Sequence, residues 1–154
     1  MVNGILRGLV ASVLLLALLS PAPAAAESAK VRRGVKQLAS RQYKSAMKSF
    51  REALKADPGD ADAMARIGDL HAAGLGVPRS DAEAVKWYLK AAPIGNAAAR
   101  YALGIFLARD PARIGEAEEQ WRAALASRPD PALEAQLLEA LARVGARADV
   151  RPVP

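Results

Sequence analysis

Gly68 and Gly104 stand 36 residues apart in the same local text, and this recurrence limits what the chain can fold into more than any other feature. The first copy reads Ile67-Gly68-Asp69-Leu70-His71, then Gly74-Leu75-Gly76-Val77-Pro78, then Ala84, Trp87-Tyr88 and Ala91-Ala92, and stops at Gly95. Leu103-Gly104-Ile105-Phe106 restarts it. A period of about 20 to 50 residues is the signature of stacked repeats, in which each unit buries its apolar face only against its neighbours. Such architectures present surfaces and rarely carry chemistry.

The N-terminus reads as a leader. Arg7 precedes an apolar run that ends at Leu19, Ser20-Pro21 breaks it, and Ala24-Ala25-Ala26 supplies a small-residue cleavage site. Together these make a secretory signal peptide over residues 1–26. The competing reading is an uncleaved anchor, but Ile5 to Leu19 spans 15 residues and includes Arg7. That is shorter than the ~18 apolar residues a spanning helix needs. Ala and Arg are abundant, as in a GC-rich bacterial genome, so the expected compartment is the periplasm. The chain has no Cys. An exported domain must then rely on packing alone, and thiol catalysis and Cys-based metal sites are excluded.

Charge is unevenly placed. Residues 27–57 carry nine basic and three acidic side chains, whereas residues 58–154 carry twelve basic and thirteen acidic. The expected mature protein is a basic hairpin joined to a nearly neutral body.

Helical periodicity runs through that body. Residues 34 to 58 read as one hairpin, with Ala46, Met47 and Phe50 on one stripe and a stop at Asp57-Pro58-Gly59. Asp60 caps a helix from Ala61 to about Ala73, and Gly74 suits a left-handed closing position. Ser80 and Glu83 form a capping box for the next helix. Gly95-Asn96 closes that helix and caps another, about Ala97 to Ala108. Asp110-Pro111 opens a helix to about Ser127, and Asp130-Pro131 a last one to about Val144. Alanines 46 and 53, 84 and 91, and 117 and 124 lie seven apart on the second helix of each hairpin. Small residues there let helices approach while Phe50, Tyr88 and Trp121 fill the remaining space. The expected fold is all-α: a solenoid of about three hairpins with a C-terminal capping helix over residues 27–144, and a disordered tail over 145–154.

Residues 63 to 106 resemble a Sel-one-like repeat, through Ala63, Ile67-Gly68, the Gly74-Leu75-Gly76-Val77 loop, Asp81, Ala84, Trp87-Tyr88, Lys90-Ala91-Ala92 and Gly95. Residues 34 to 58 are similar to the related tetratricopeptide repeat, through Gly34, Tyr43, Ala46, Phe50, Ala53-Leu54 and Asp57-Pro58. Residues 98 to 129 look like a degenerate copy, with Arg109-Asp110-Pro111 in place of the Gly-Val loop. The resemblance implies a protein–protein interaction scaffold. It also implies that the first helix of each pair lines a concave groove. Asp62, Arg66 and Asp69 would then face inward from the central repeat, and Tyr101, Ile105 and Arg109 from the next, unless Tyr101 and Ile105 are core.

Residues for chemistry are sparse. His71 is the only histidine, and no Cys or second His completes a constellation around it. Asp57, Asp60 and Asp62 lack the Gly and late Glu of a calcium loop and are better explained as caps. Gly74-Leu75-Gly76 lacks the preceding strand and the lysine of a phosphate cradle. No enzyme, cofactor or metal is expected.

Two faces remain. One is the groove, for a protein or peptide. The other is Lys44, Lys48, Arg51 and Lys55, which fall on one helical stripe opposite Ala46, Phe50 and Ala53. That stripe is either a solvated face or a patch for an anionic envelope surface, such as cell-wall polymer or lipid headgroups. Nucleic acid is not expected, because no aromatic is interleaved to stack bases. The expected function is a non-enzymatic periplasmic scaffold or adaptor. The alternatives are an envelope-associated binder of anionic polymer or lipid, or a regulatory subunit of an envelope enzyme or sensor.

Overall fold

The computed structural model describes residues 28–148; the expected leader and the last six residues of the expected tail lie outside the described residues. Seven α-helices follow one another, with no strand among the described residues: α1 (Ala29–Ala39), α2 (Tyr43–Ala56), α3 (Ala61–Ala73), α4 (Asp81–Ala91), α5 (Ala97–Leu107), α6 (Ile114–Ala126) and α7 (Pro131–Ala148). Helices α1 and α2, α3 and α4, and α5 and α6 pair as hairpins. Each hairpin stacks on the next through α2 on α3, α4 on α5 and α6 on α7. This is the all-α solenoid of three hairpins and a closing helix that the repeat implies.

The alanines spaced seven apart do what their size allows. Ala46, Ala53, Ala84, Ala91, Ala117 and Ala124 are all within 1% of complete burial. Each hairpin's aromatic then lies against the glycine of the facing helix. A Cβ on Gly34 would overlap the ring of Phe50, one on Gly68 the ring of Tyr88, and one on Gly104 the ring of Trp121. Bulk on one helix is thus matched by its absence on the other, which is how interiors reach crystal-like density.

Two apolar clusters result. One joins hairpin one to α3 through Phe50, Ile67 and Leu70, and the other runs from α3 to α7 through Tyr88, Leu103, Trp121 and Leu137. Leu54 and Trp87 pack against both and make the core continuous. Inside hairpin one, the buried Ser49 hydroxyl accepts from Arg33 Nε at 3.0 Å and donates to Gln37 Oε1 at 2.7 Å. Those two bonds satisfy a polar group that would otherwise be costly to bury.

The caps follow the sequence with one exception. Asp60 accepts from the Ala63 amide, Asn96 from Ala99 and Asp130 from Leu133. Gly74 closes α3 in the left-handed region at φ 68°. The box at Ser80 is only half made. Its hydroxyl accepts from the Glu83 amide, but its own N–H donates to the His71 carbonyl and the Glu83 carboxylate is held by Lys86. The repeat loop carries Ser80 back onto the end of α3, and that carbonyl is the nearer acceptor.

Three boundaries differ from the sequence reading. Helix α1 begins at Ala29, where Ser28 caps the Val31 amide. Pro111–Arg113 form a 3-10 turn before α6 starts at Ile114. Helix α7 continues to Ala148, past the expected end near Val144, because Gly145 is followed by no further breaker until Pro152.

Candidate partner-binding faces

Three of the six groove candidates come from α3, and two of them, Asp62 and Asp69, are engaged with neighbouring elements. Asp62 Oδ1 accepts from Asn96 Nδ2 at 2.7 Å, and Asn96 also caps α5, so this bond ties the start of α3 to the start of α5. One turn along, Arg66 lies 3.5 Å from Asp69. Asp69 in turn accepts the Tyr88 hydroxyl at 2.9 Å. Burial pushes the Asp69 carboxyl above the usual carboxylate range, against the lowering effect of Tyr88 and Arg66. Burial, and then the Asp69 charge, push the Tyr88 phenol well above its usual value. Tyr88 is therefore a fixed donor, and the side chains of Asp69 and Arg66 remain about half exposed beside it.

Tyr101 and Ile105 lie on a different part of the face. They form one wall of a cleft of about 180 Å³ between α5 and α7. The buried Trp121, Ala140 and Val144 floor the cleft, and the exposed Gln136, Glu139 and Arg143 edge it. Trp121 Nε1 donates to the Tyr101 carbonyl at 3.1 Å, which fixes the floor to the wall. Arg143 and Glu139 neutralise each other across one helical turn at 2.6 Å. Tyr101 is partly exposed and Ile105 keeps 38% of its surface, so both present side chain to the cleft rather than only to the core. The residues of α7 that complete this cleft could not be found from the sequence, because their pairing with α5 depends on the stacking of the third hairpin.

Arg109 is placed elsewhere. Its guanidinium sits over the Phe106 ring, 4.2 Å from the centroid, and meets Asp81 at 2.6 Å. Helices α4 and α5 run antiparallel, so the end of α5 meets the start of α4, and Arg109 closes that seam. The same bond holds the Asp81 carboxyl below the usual range. The structure thus separates the six candidates into an α3 set, a cleft wall and a seam clasp.

The basic stripe lies on α2 as expected. Lys44, Lys48, Arg51 and Lys55 are all exposed, while Ala46, Met47, Phe50 and Ala53 of the same helix are buried. Among the described residues, no group of three or more His, Asp or Glu is placed to hold a metal ion. His71 is partly buried, with an Nδ1 that reaches no hydrogen-bond partner. None of the described helices is long and apolar enough to cross a membrane.

Comparison with known proteins agrees with this arrangement. Residues 61–93, which span α3 and α4, match the Sel1 repeat family model. The chain is similar to the crystal structure of a Sel1 repeat protein from Oxalobacter formigenes, with 28% sequence identity, a TM-score of 0.57 and 72% of this chain covered. The match takes in 47% of that protein, so this chain spans about half its length. No curated protein matches the sequence. The central hairpin is a Sel1 repeat, set in a Sel1-like, tetratricopeptide-like helical solenoid.

Proposed function

We infer that the chain is a non-catalytic scaffold of the bacterial periplasm that holds a protein or peptide partner in the cleft between α5 and α7. Sel1 repeats generally mediate protein–protein interaction, and the cleft is the observation that carries the reading here. It combines a rigid apolar floor (Trp121, Ala140 and Val144) with an exposed Ile105, and its polar edge is already neutralised by the Glu139–Arg143 pair. Such a site suits one apolar anchor of a partner, with polar contacts at the rim, as interface hot spots are built. The periplasmic assignment rests on the leader read in residues 1–26.

A photo-crosslinking side chain placed at Ile105 in cells tests this. Discrete protein adducts are expected from position 105 and none from the exposed Lys86 on α4, and the adducts should disappear when Tyr101→Ala is added. Equal labelling from both positions, or turnover of a small substrate by the purified chain, would sink the reading.

A further inference from the structure

Most cations beyond α2 meet a carboxylate, though Lys90, Arg100 and Arg128 enter no ion pair among the described residues. Arg66, Arg79, Lys86, Arg109, Arg113, Arg122 and Arg143, all beyond α2, each pair with a carboxylate. Lys44, Lys48, Arg51 and Lys55 enter no ion pair among the described residues. The carboxylate of Glu52, the one acid on α2, is drawn across to Arg33 of α1 and does not neutralise the row. Four like charges at spacings of four, three and four therefore repel along one helix, an arrangement that destabilises a helix by a few tenths of a kcal/mol per pair. A face left to water ordinarily mixes the two signs.

We propose that this face of α2 docks on an anionic phospholipid bilayer. The row is about 16 Å long at the rise of an α-helix. At its first turn it borders an open depression of about 390 Å³, edged by Arg41, Lys44 and Ser45, where a headgroup can sit. Protein interfaces rely on buried aromatic and apolar anchors, and the exposed neighbours on α2, Ser45 and Ala56, supply none. A lipid surface needs no such anchor, since long flexible cations gain from many mobile phosphates at once.

The test is flotation of the chain as recovered from cells, with vesicles of phosphatidylcholine alone or mixed with phosphatidylglycerol. Preferential binding to the mixed vesicles is expected, abolished by high salt. Replacing Lys44, Lys48, Arg51 and Lys55 together by Gln should weaken it by roughly several hundredfold, since each surface cation contributes about fivefold. The N-terminal segment is common to all variants and cannot produce that difference. A control with Arg79, Lys86, Arg113 and Arg122 replaced by Gln removes the same number of charges and should bind as the parent does. Equal binding to both vesicle types overturns the proposal, as does an equal loss in the control. Retention on polyglutamate without preference for anionic vesicles would assign the row to an acidic protein and also overturn it.

Discussion

The ring of Tyr88 occupies the space in which a side chain at position 68 would have to sit: a Cβ there would lie 2.6 Å from Cε1. The ring cannot retreat, because its hydroxyl is held by Asp69 and its far side faces Phe106 at 6.1 Å. Gly68→Ala gains about 0.5–1 kcal/mol of helix propensity but should lose about 1–3 kcal/mol through overpacking. A net loss of about 1–2 kcal/mol is expected in urea unfolding. Gly145→Ala, in α7, where nothing lies within 4 Å, should instead gain about 0.5 kcal/mol. Equal effects at the two positions would show that the Tyr88 ring does not make the site.

The alanine stripes were legible in the sequence because they are local, whereas the glycines that receive the rings were not read as such. Ala84 and Ala91 announce a buried stripe by their spacing alone. Arg109 was misplaced because its partner, Asp81, is 28 positions away and is brought near only by the antiparallel seam of α4 and α5. The cleft was half legible. Tyr101 and Ile105 carry the signal of a first helix, but Gln136 and Arg143 gain their meaning only once α7 stacks on α6. The Ser80 box failed for the same reason on a smaller scale, since the His71 carbonyl that takes its N–H is supplied by the loop's path.

Asp69 gives the fold a pH signature. Its folded value is raised by burial, so the stability it contributes is present below the ordinary carboxylate value and is lost as pH rises through the raised one. Tyr88→Phe removes a bond that favours the carboxylate and pushes that value higher still. The substitution should cost about 1 kcal/mol at neutral pH, discounted because Asp69 is half exposed, and less at about pH 3.5, where the carboxyl is protonated. Asp69→Asn should flatten the difference between the two pH values. Urea midpoints at both pH values decide it, and a Tyr88→Phe cost that does not change with pH would refute it.

His71 carries a polar atom that its packing leaves unmet. Its Nδ1 is shielded from solvent and finds no partner, a burden that an apolar side chain of similar size would not carry. His71→Leu is expected to leave helix content unchanged and to raise stability by up to about 1 kcal/mol. A clear loss of stability, measured by thermal unfolding, would mean the imidazole makes a bond that matters.

Helix α7 packs on the third hairpin in a definite register. Leu138 is 54% exposed and bears no ring. Its neighbour Leu137 is fully buried against the third hairpin. Leu137→Ala should therefore cost about 2–4 kcal/mol through the cavity it leaves. Leu138→Ala should change stability by less than about 0.5 kcal/mol, as surface substitutions do. Denaturant unfolding of the two variants side by side measures the register directly, and a larger loss at Leu138 would mean that α7 is rotated from the position described.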